Sequence, residues 1–85
     1  MKYTFVDESW EDYLYWQKTD HKMMLKINEL LKDIERTPYS GTGEPEPLKF
    51  KYKGYWSRRI NEEHRLVYQY KEDEIQIAKC RFHYD

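Results

Sequence analysis

The sequence has 85 residues, of which 36% are charged, with 15 Lys/Arg against 16 Asp/Glu and a formal net charge of −1. That length predicts one domain, 1–85, and a single cysteine, Cys80, excludes an intramolecular disulfide framework and a cysteine-rich zinc site. No apolar run reaches the roughly 18 residues of a membrane span, and MKYTFVDESW lacks the apolar core of a signal peptide, so a soluble cytoplasmic protein with no membrane partner is expected.

Lys2–Val6, rich in β-branched and aromatic residues, predicts a first strand. Asp7 offers an N-cap, and Glu8, Glu11 and Asp12 fall in the first turns, where the helix dipole favours acids. Trp10, Tyr13, Leu14 and Gln17 follow the i, i+3, i+4, i+7 spacing, which predicts a helix over 8–18. Asp20 can cap a second helix, in which Met23, Met24, Ile27, Leu30, Leu31 and Ile34 form an apolar stripe at 3.6 spacing. The methionines in that stripe read as core filler. Proline disfavours the α region for the residue before it, so Thr37-Pro38 ends the helical run.

The stretch 39–47 holds Gly41, Gly43, Pro45 and Pro47 and reads as a long loop, stiffened at Pro45-Glu46-Pro47. Four strand-like segments follow: Leu48–Tyr52, Tyr55–Asn61, His64–Tyr70 and Ile75–Tyr84. Polar turns at Lys53-Gly54, Glu62-Glu63 and Glu72-Asp73 join them into an antiparallel meander. The layout β-α-α-β-β-β-β is α+β, with two helices packed on one face of a twisted antiparallel sheet.

Taken at face value, a net charge of −1 and a sequence pI near 6.3 argue against a nucleic-acid binder. The distribution argues otherwise. Residues 1–43 carry a net −2 and residues 44–85 a net +1, and the window 49–59 holds Lys49, Lys51, Lys53, Arg58 and Arg59 without one acid. Phe50, Tyr52, Tyr55 and Trp56 are interleaved with them. Cations hold phosphates and flat rings stack on bases, so this is a candidate RNA-facing surface; an ordinary edge hairpin with lysines on its wet face would look the same.

The sequence lacks the spacings HxxxH, HExxH and CxxC, and it has no phosphate-binding glycine motif and no nucleophile elbow, so neither cofactor nor metal is expected. Cys80, in an alternating segment, reads as a small buried hydrophobe. Three features could carry chemistry. Glu46 is presented on a stiff platform between two prolines. Arg58, Arg59, Arg65 and Arg81 lie on expected strands, where cations at one level can converge on a phosphate. Whether Arg59 and Arg65 share a face depends on the length of the turn at 62–63, which pattern leaves open. His83-Tyr84 sets a titratable imidazole near the end of the last strand. A base, cations and an acid are the parts of RNA cleavage by 2′-hydroxyl attack.

Four segments carry a family resemblance: ESWEDYLYWQ at 8–17, INELLKDIERTPYSGTGEPEPLK at 27–49, GYWSRRINEEHRLVY at 54–68 and CRFHY at 80–84. Together they resemble the YoeB-type toxins of the RelE/ParE superfamily, ribosome-dependent mRNA interferases of bacterial type II toxin–antitoxin modules. The resemblance runs essentially from end to end and implies a microbial RNase-like, RelE-type fold. It implies Glu46 as general base, His83 as general acid and Arg65 as the transition-state cation, with Tyr84 beside the scissile phosphate. Lys49, Lys51, Arg58 and Arg59 would bind RNA phosphates. The implied substrate is mRNA in the ribosomal A site, and the implied partner is a YefM-type antitoxin, through which alone operator DNA would be bound. A homodimer is left open. Two readings from other classes stand beside it: a non-catalytic RNA- or ribosome-binding module, and a gyrase poison of the ParE kind. Asp85 after Tyr84 departs from the family pattern and would favour the protonated form of His83.

Overall fold

Strand β1 (Lys2–Phe5) runs into helix α1 (Asp7–Thr19), and helix α2 (His21–Arg36) follows at once in a computed structural model that describes residues 1–83. Val6, not Asp7, is the N-cap of α1, and the Ser9 hydroxyl accepts its N–H at 3.0 Å. Asp20 stands at the cap of α2 as expected, receiving the N–H groups of Met23 and Met24 on its backbone carbonyl.

The face of α1 that seats on the sheet differs from the expected stripe. Ser9 and Trp16 are the buried residues, whereas Trp10 is 46% exposed and stacks on Tyr13. Each buried side chain brings a donor that finds a carbonyl: Ser9 Oγ donates to Ile77 O at 2.6 Å and Trp16 Nε1 to Cys80 O at 2.8 Å. Polar handles of this kind let the helix bury against backbone without orphaned groups, and an apolar count cannot register them. Helix α2 buries its stripe as read, with Ile27, Leu30, Leu31 and Ile34 in the core and Met23 and Met24 at its margin.

Four more strands complete one sheet: β2 (Glu46–Pro47), β3 (Trp56–Arg59), β4 (Arg65–Lys71) and β5 (Glu74–Lys79), in the spatial order β1-β5-β4-β3-β2. The meander β2 to β5 is antiparallel, but β1 joins β5 in parallel, so the sheet is mixed rather than wholly antiparallel. The helical hairpin carries the chain from one edge to the other, and the meander steps back to arrive beside β1 running the same way. Leu66, Val67 and Tyr68 on β4 and Ile75 and Ile77 on β5 are fully buried.

The expected strand Leu48–Tyr52 is absent, the short β2 falling instead at the end of the expected loop 39–47, and the last expected strand, Ile75–Tyr84, is cut short. The segment 48–52 leaves the ladder after Pro47 and forms a 3₁₀ turn at Phe50–Tyr52, where Phe50 turns the chain with φ +57° and Gly54 closes the return at φ +95°. The last strand stops at Lys79 because α1 takes over the next backbone groups: Cys80 donates its N–H to Asp12 Oδ2 at 3.0 Å and its carbonyl serves Trp16. Cys80 itself is fully buried, and burial pushes its thiol well above the usual range.

Candidate active site

Strand β2 is an edge strand, which is where prolines that cannot donate to a ladder belong. It pairs Glu46 with Ser57, and β3 pairs Arg59 with Arg65 across β4. Residues directly opposite share a face, as do residues two apart on one strand. Glu46, Ser57, Arg59 and Arg65 therefore share one face of the sheet. The register answers the question the turn left open: Ile60 and Asn61 donate to the His64 carbonyl, and Arg59 and Arg65 come together.

These residues line a cleft of about 370 Å³ with Glu44, Pro45 and His83. Arg65 is buried, its Nη1 donating to the carbonyls of Asn61, Glu62 and His64 at 2.9, 3.1 and 3.2 Å. The turn thus holds its guanidinium in place. Arg59 is more open and balanced by acids, with Nε 3.6 Å from Glu44 and Nη1 4.0 Å from Glu62. Among the described residues no three His, Cys, Asp or Glu side chains are grouped to hold a metal ion.

Arg58 is a correction. It was expected on the phosphate-binding surface, but alternation turns it to the other face, where it is fully buried under α2. Its Nη1 meets Asp33 Oδ2 at 2.5 Å and Thr42 O at 3.1 Å, Nη2 meets Thr37 O and Ser40 O at 2.6 and 2.7 Å, and Nε meets the Tyr68 hydroxyl at 3.2 Å. Arg58 therefore binds three carbonyls of the loop that leads to Glu46. Asp33 completes the network; hydrogen bonds from Arg36, the Thr42 N–H and Arg58 hold its carboxyl well below the usual carboxylate range. Gly43, at φ +84°, suits the close approach of the loop to β3: a Cβ at this position would come within 3.1 Å of Arg58 Cβ and of the Arg59 carbonyl oxygen, tighter than ordinary contact.

His83 reaches the cleft not from the end of the last strand, as expected, but on a segment beyond β5. The Arg65 N–H donates to Phe82 O at 3.1 Å, and the Phe82 N–H donates to His64 Nδ1 at 2.8 Å. The His64 ring lies edge-on to Trp16, with centroids 4.8 Å apart. His64, Asp12 and Trp16 are positioning residues that no ligand or nucleophile spacing marks in the sequence. Glu44, the ion-pair partner of Arg59, was missed too. Lys49 and Lys51 are exposed on the 3₁₀ turn beside Glu46 rather than on a strand, and Lys51 Nζ lies 5.3 Å from the Tyr52 ring centroid. Tyr84 and Asp85 lie outside the described residues.

The profile of the YoeB-like toxins of bacterial type II toxin–antitoxin systems matches residues 5–84. Toxin YoeB of Escherichia coli (strain K12) is 60% identical over 84 residues, 99% of this chain and 100% of that one. Two solved structures from Staphylococcus aureus, each 52% identical and covering 99% of this chain and 98% of theirs, superpose closely. They are a heterotetrameric YoeB–YefM toxin–antitoxin complex, with a TM-score of 0.92, and a YoeB dimer, with a TM-score of 0.93. By sequence over its whole length, and by fold, this chain belongs to the YoeB-like toxin family of bacterial type II toxin–antitoxin systems.

Proposed function

We propose that the chain is the toxin of such a module and acts as a ribosome-dependent endoribonuclease on mRNA in the A site. One observation carries the reading: a carboxylate, two guanidiniums and an imidazole, from four separate segments, line a single cleft. Phosphate binding alone would use the cations; a base and an acid at the same place suit proton transfer on both sides of a phosphorus.

Glu46 takes the proton of the 2′-hydroxyl, whose oxygen attacks the adjacent phosphorus. Arg65, immobilised on the turn carbonyls, and Arg59 stabilise the charge that builds on the equatorial oxygens. The bond to the 5′-oxygen breaks, His83 delivers a proton to that oxygen, and the products are a 2′,3′-cyclic phosphate and a 5′-hydroxyl. Tyr84 completes the phosphate environment, and Lys49 and Lys51 hold flanking phosphates. The protein partner is a YefM-type antitoxin, as in the S. aureus complex, and operator DNA would be bound only through that partner.

Glu46→Ala and His83→Ala are each expected to lower cleavage of mRNA in programmed ribosomes by about 100- to 10,000-fold. If both variants arrest growth as wild type does, the toxicity is that of a binding module or a gyrase poison, and the nuclease reading fails.

A further inference from the structure

Phe50 stands at the tip of the 3₁₀ turn, 91% exposed, with φ +57°. A single exposed apolar residue is ordinary, but a bulky residue in the left-handed region is an outlier that costs stability. Glycine would fit that backbone better, and so exposed a ring contributes little to the fold. The ring therefore needs a reason outside the fold.

Its surroundings supply one. A groove of about 500 Å³ is walled by Pro47, Phe50 and Tyr52, with Lys49 and Lys51 beside it and no acid between Glu46 and Glu62 in the chain. Glu46 lines this groove and the cleft alike, so the two adjoin at that residue. An apolar slot between cations, next to the cleft that holds Arg59 and Arg65, complements a flat ring on a polyanionic backbone.

We propose that this groove is a nucleobase subsite in which Phe50 stacks on a base flanking the phosphate held at Arg59 and Arg65; its occupant is the mRNA, so the inference rests on the function proposed above. Binding and cleavage separate the two claims. Wild type, Phe50→Gly and Phe50→Trp are bound to ribosomes programmed with an mRNA that carries 2′-deoxyribose upstream of the cut, and with versions abasic at either flanking nucleotide. On the intact deoxy-mRNA, Phe50→Gly is expected to bind about ten- to a hundredfold more weakly than wild type and Phe50→Trp to bind comparably. Removing one flanking base should weaken wild type by a similar factor and Phe50→Gly hardly at all. The Tm of Phe50→Gly should equal or exceed that of wild type.

Equal binding by wild type and Phe50→Gly overturns the subsite, as does failure of wild type to bind at all. A deficit that persists on both abasic mRNAs does so too, because the ring then meets rRNA or protein instead. A lower Tm would show that the ring supports the fold, with the same consequence. If the binding pattern holds but wild type leaves all-ribose mRNA uncut, the subsite stands and the nuclease reading falls.

Discussion

At the scale of single residues, the site depends on His64 as much as on the groups that line the cleft. Its Nδ1 accepts the Phe82 N–H, and the Arg65 N–H returns the contact to the Phe82 carbonyl, so the residue before His83 is tied to the residue before Arg65 and to Arg65 itself. Phe82 has φ +63°, a conformation that holds only while its surroundings impose it. Replacing His64 by Phe keeps the edge contact with Trp16 and removes the acceptor, whereas Asn places Oδ1 near the position of Nδ1. His64→Phe is expected to speed amide exchange at Phe82 by about five- to tenfold and to lower cleavage by about 100-fold through misplacement of His83. His64→Asn should restore much of both. Equal exchange at Phe82 in wild type and His64→Phe would remove the tie.

Among the elements, the loop 37–45 does the most for its size. Its carbonyls converge on Arg58, and Arg58 is fixed by Asp33 on α2 and the Tyr68 hydroxyl on β4, so helix, loop and sheet meet on one guanidinium. Removing one member of a buried, hydrogen-bonded ion pair costs about 3–5 kcal/mol. Arg58→Ala should lose that much in urea unfolding, while Arg59→Ala, with its partly exposed side chain, should stay within about 0.5 kcal/mol of wild type. Similar losses for the two would contradict their assignment to opposite faces.

The same pair shows what could be read in advance. Helix positions, the buried stripe of α2, the β3-β4-β5 part of the meander and the class were legible because periodicity and turn chemistry are local. Glu46 stood out through its two prolines, and Arg65 and His83 through the family segments. Arg58 and Arg59 differ only in which face the strand presents, and this depends on a register set by the pairing of Arg59 with Arg65 across the turn. His64 and Asp12 carried no signal, since each works through a single contact to backbone 18 or 68 residues away.

For the molecule as a whole, acid is the informative stress. Asp33, Glu35 and Glu74 are all held below their ordinary values: Asp33 chiefly by Arg36, Glu35 by the Tyr3 hydroxyl and Glu74 by the Thr4 hydroxyl. A carboxyl lowered on folding contributes stability that is complete above its unfolded value, about 4, and is lost as pH falls through the folded value. Asp12 acts in the opposite sense, because burial raises it. Three lowered groups against one predict a urea midpoint that drops steadily below about pH 4, with a shallower drop in Asp33→Asn. An unchanged slope in that variant would show that the Arg58 network does not set acid stability. The near-zero net charge, which argued against nucleic acid, conceals an uneven distribution: the acid-free stretch 49–59 gives Lys49 and Lys51 to the groove next to the cleft, and the helical half carries the surplus acid.

The central claim is that the cleft activates a 2′-hydroxyl, and one substitution in the substrate tests it. Ribosomes are programmed with mRNA in which the ribose immediately upstream of the cut is 2′-deoxyribose, and product is measured against the all-ribose message. Cleavage at that position should vanish, while the all-ribose message yields a 2′,3′-cyclic phosphate. Cleavage that survives the substitution would contradict the roles given to Glu46 and His83.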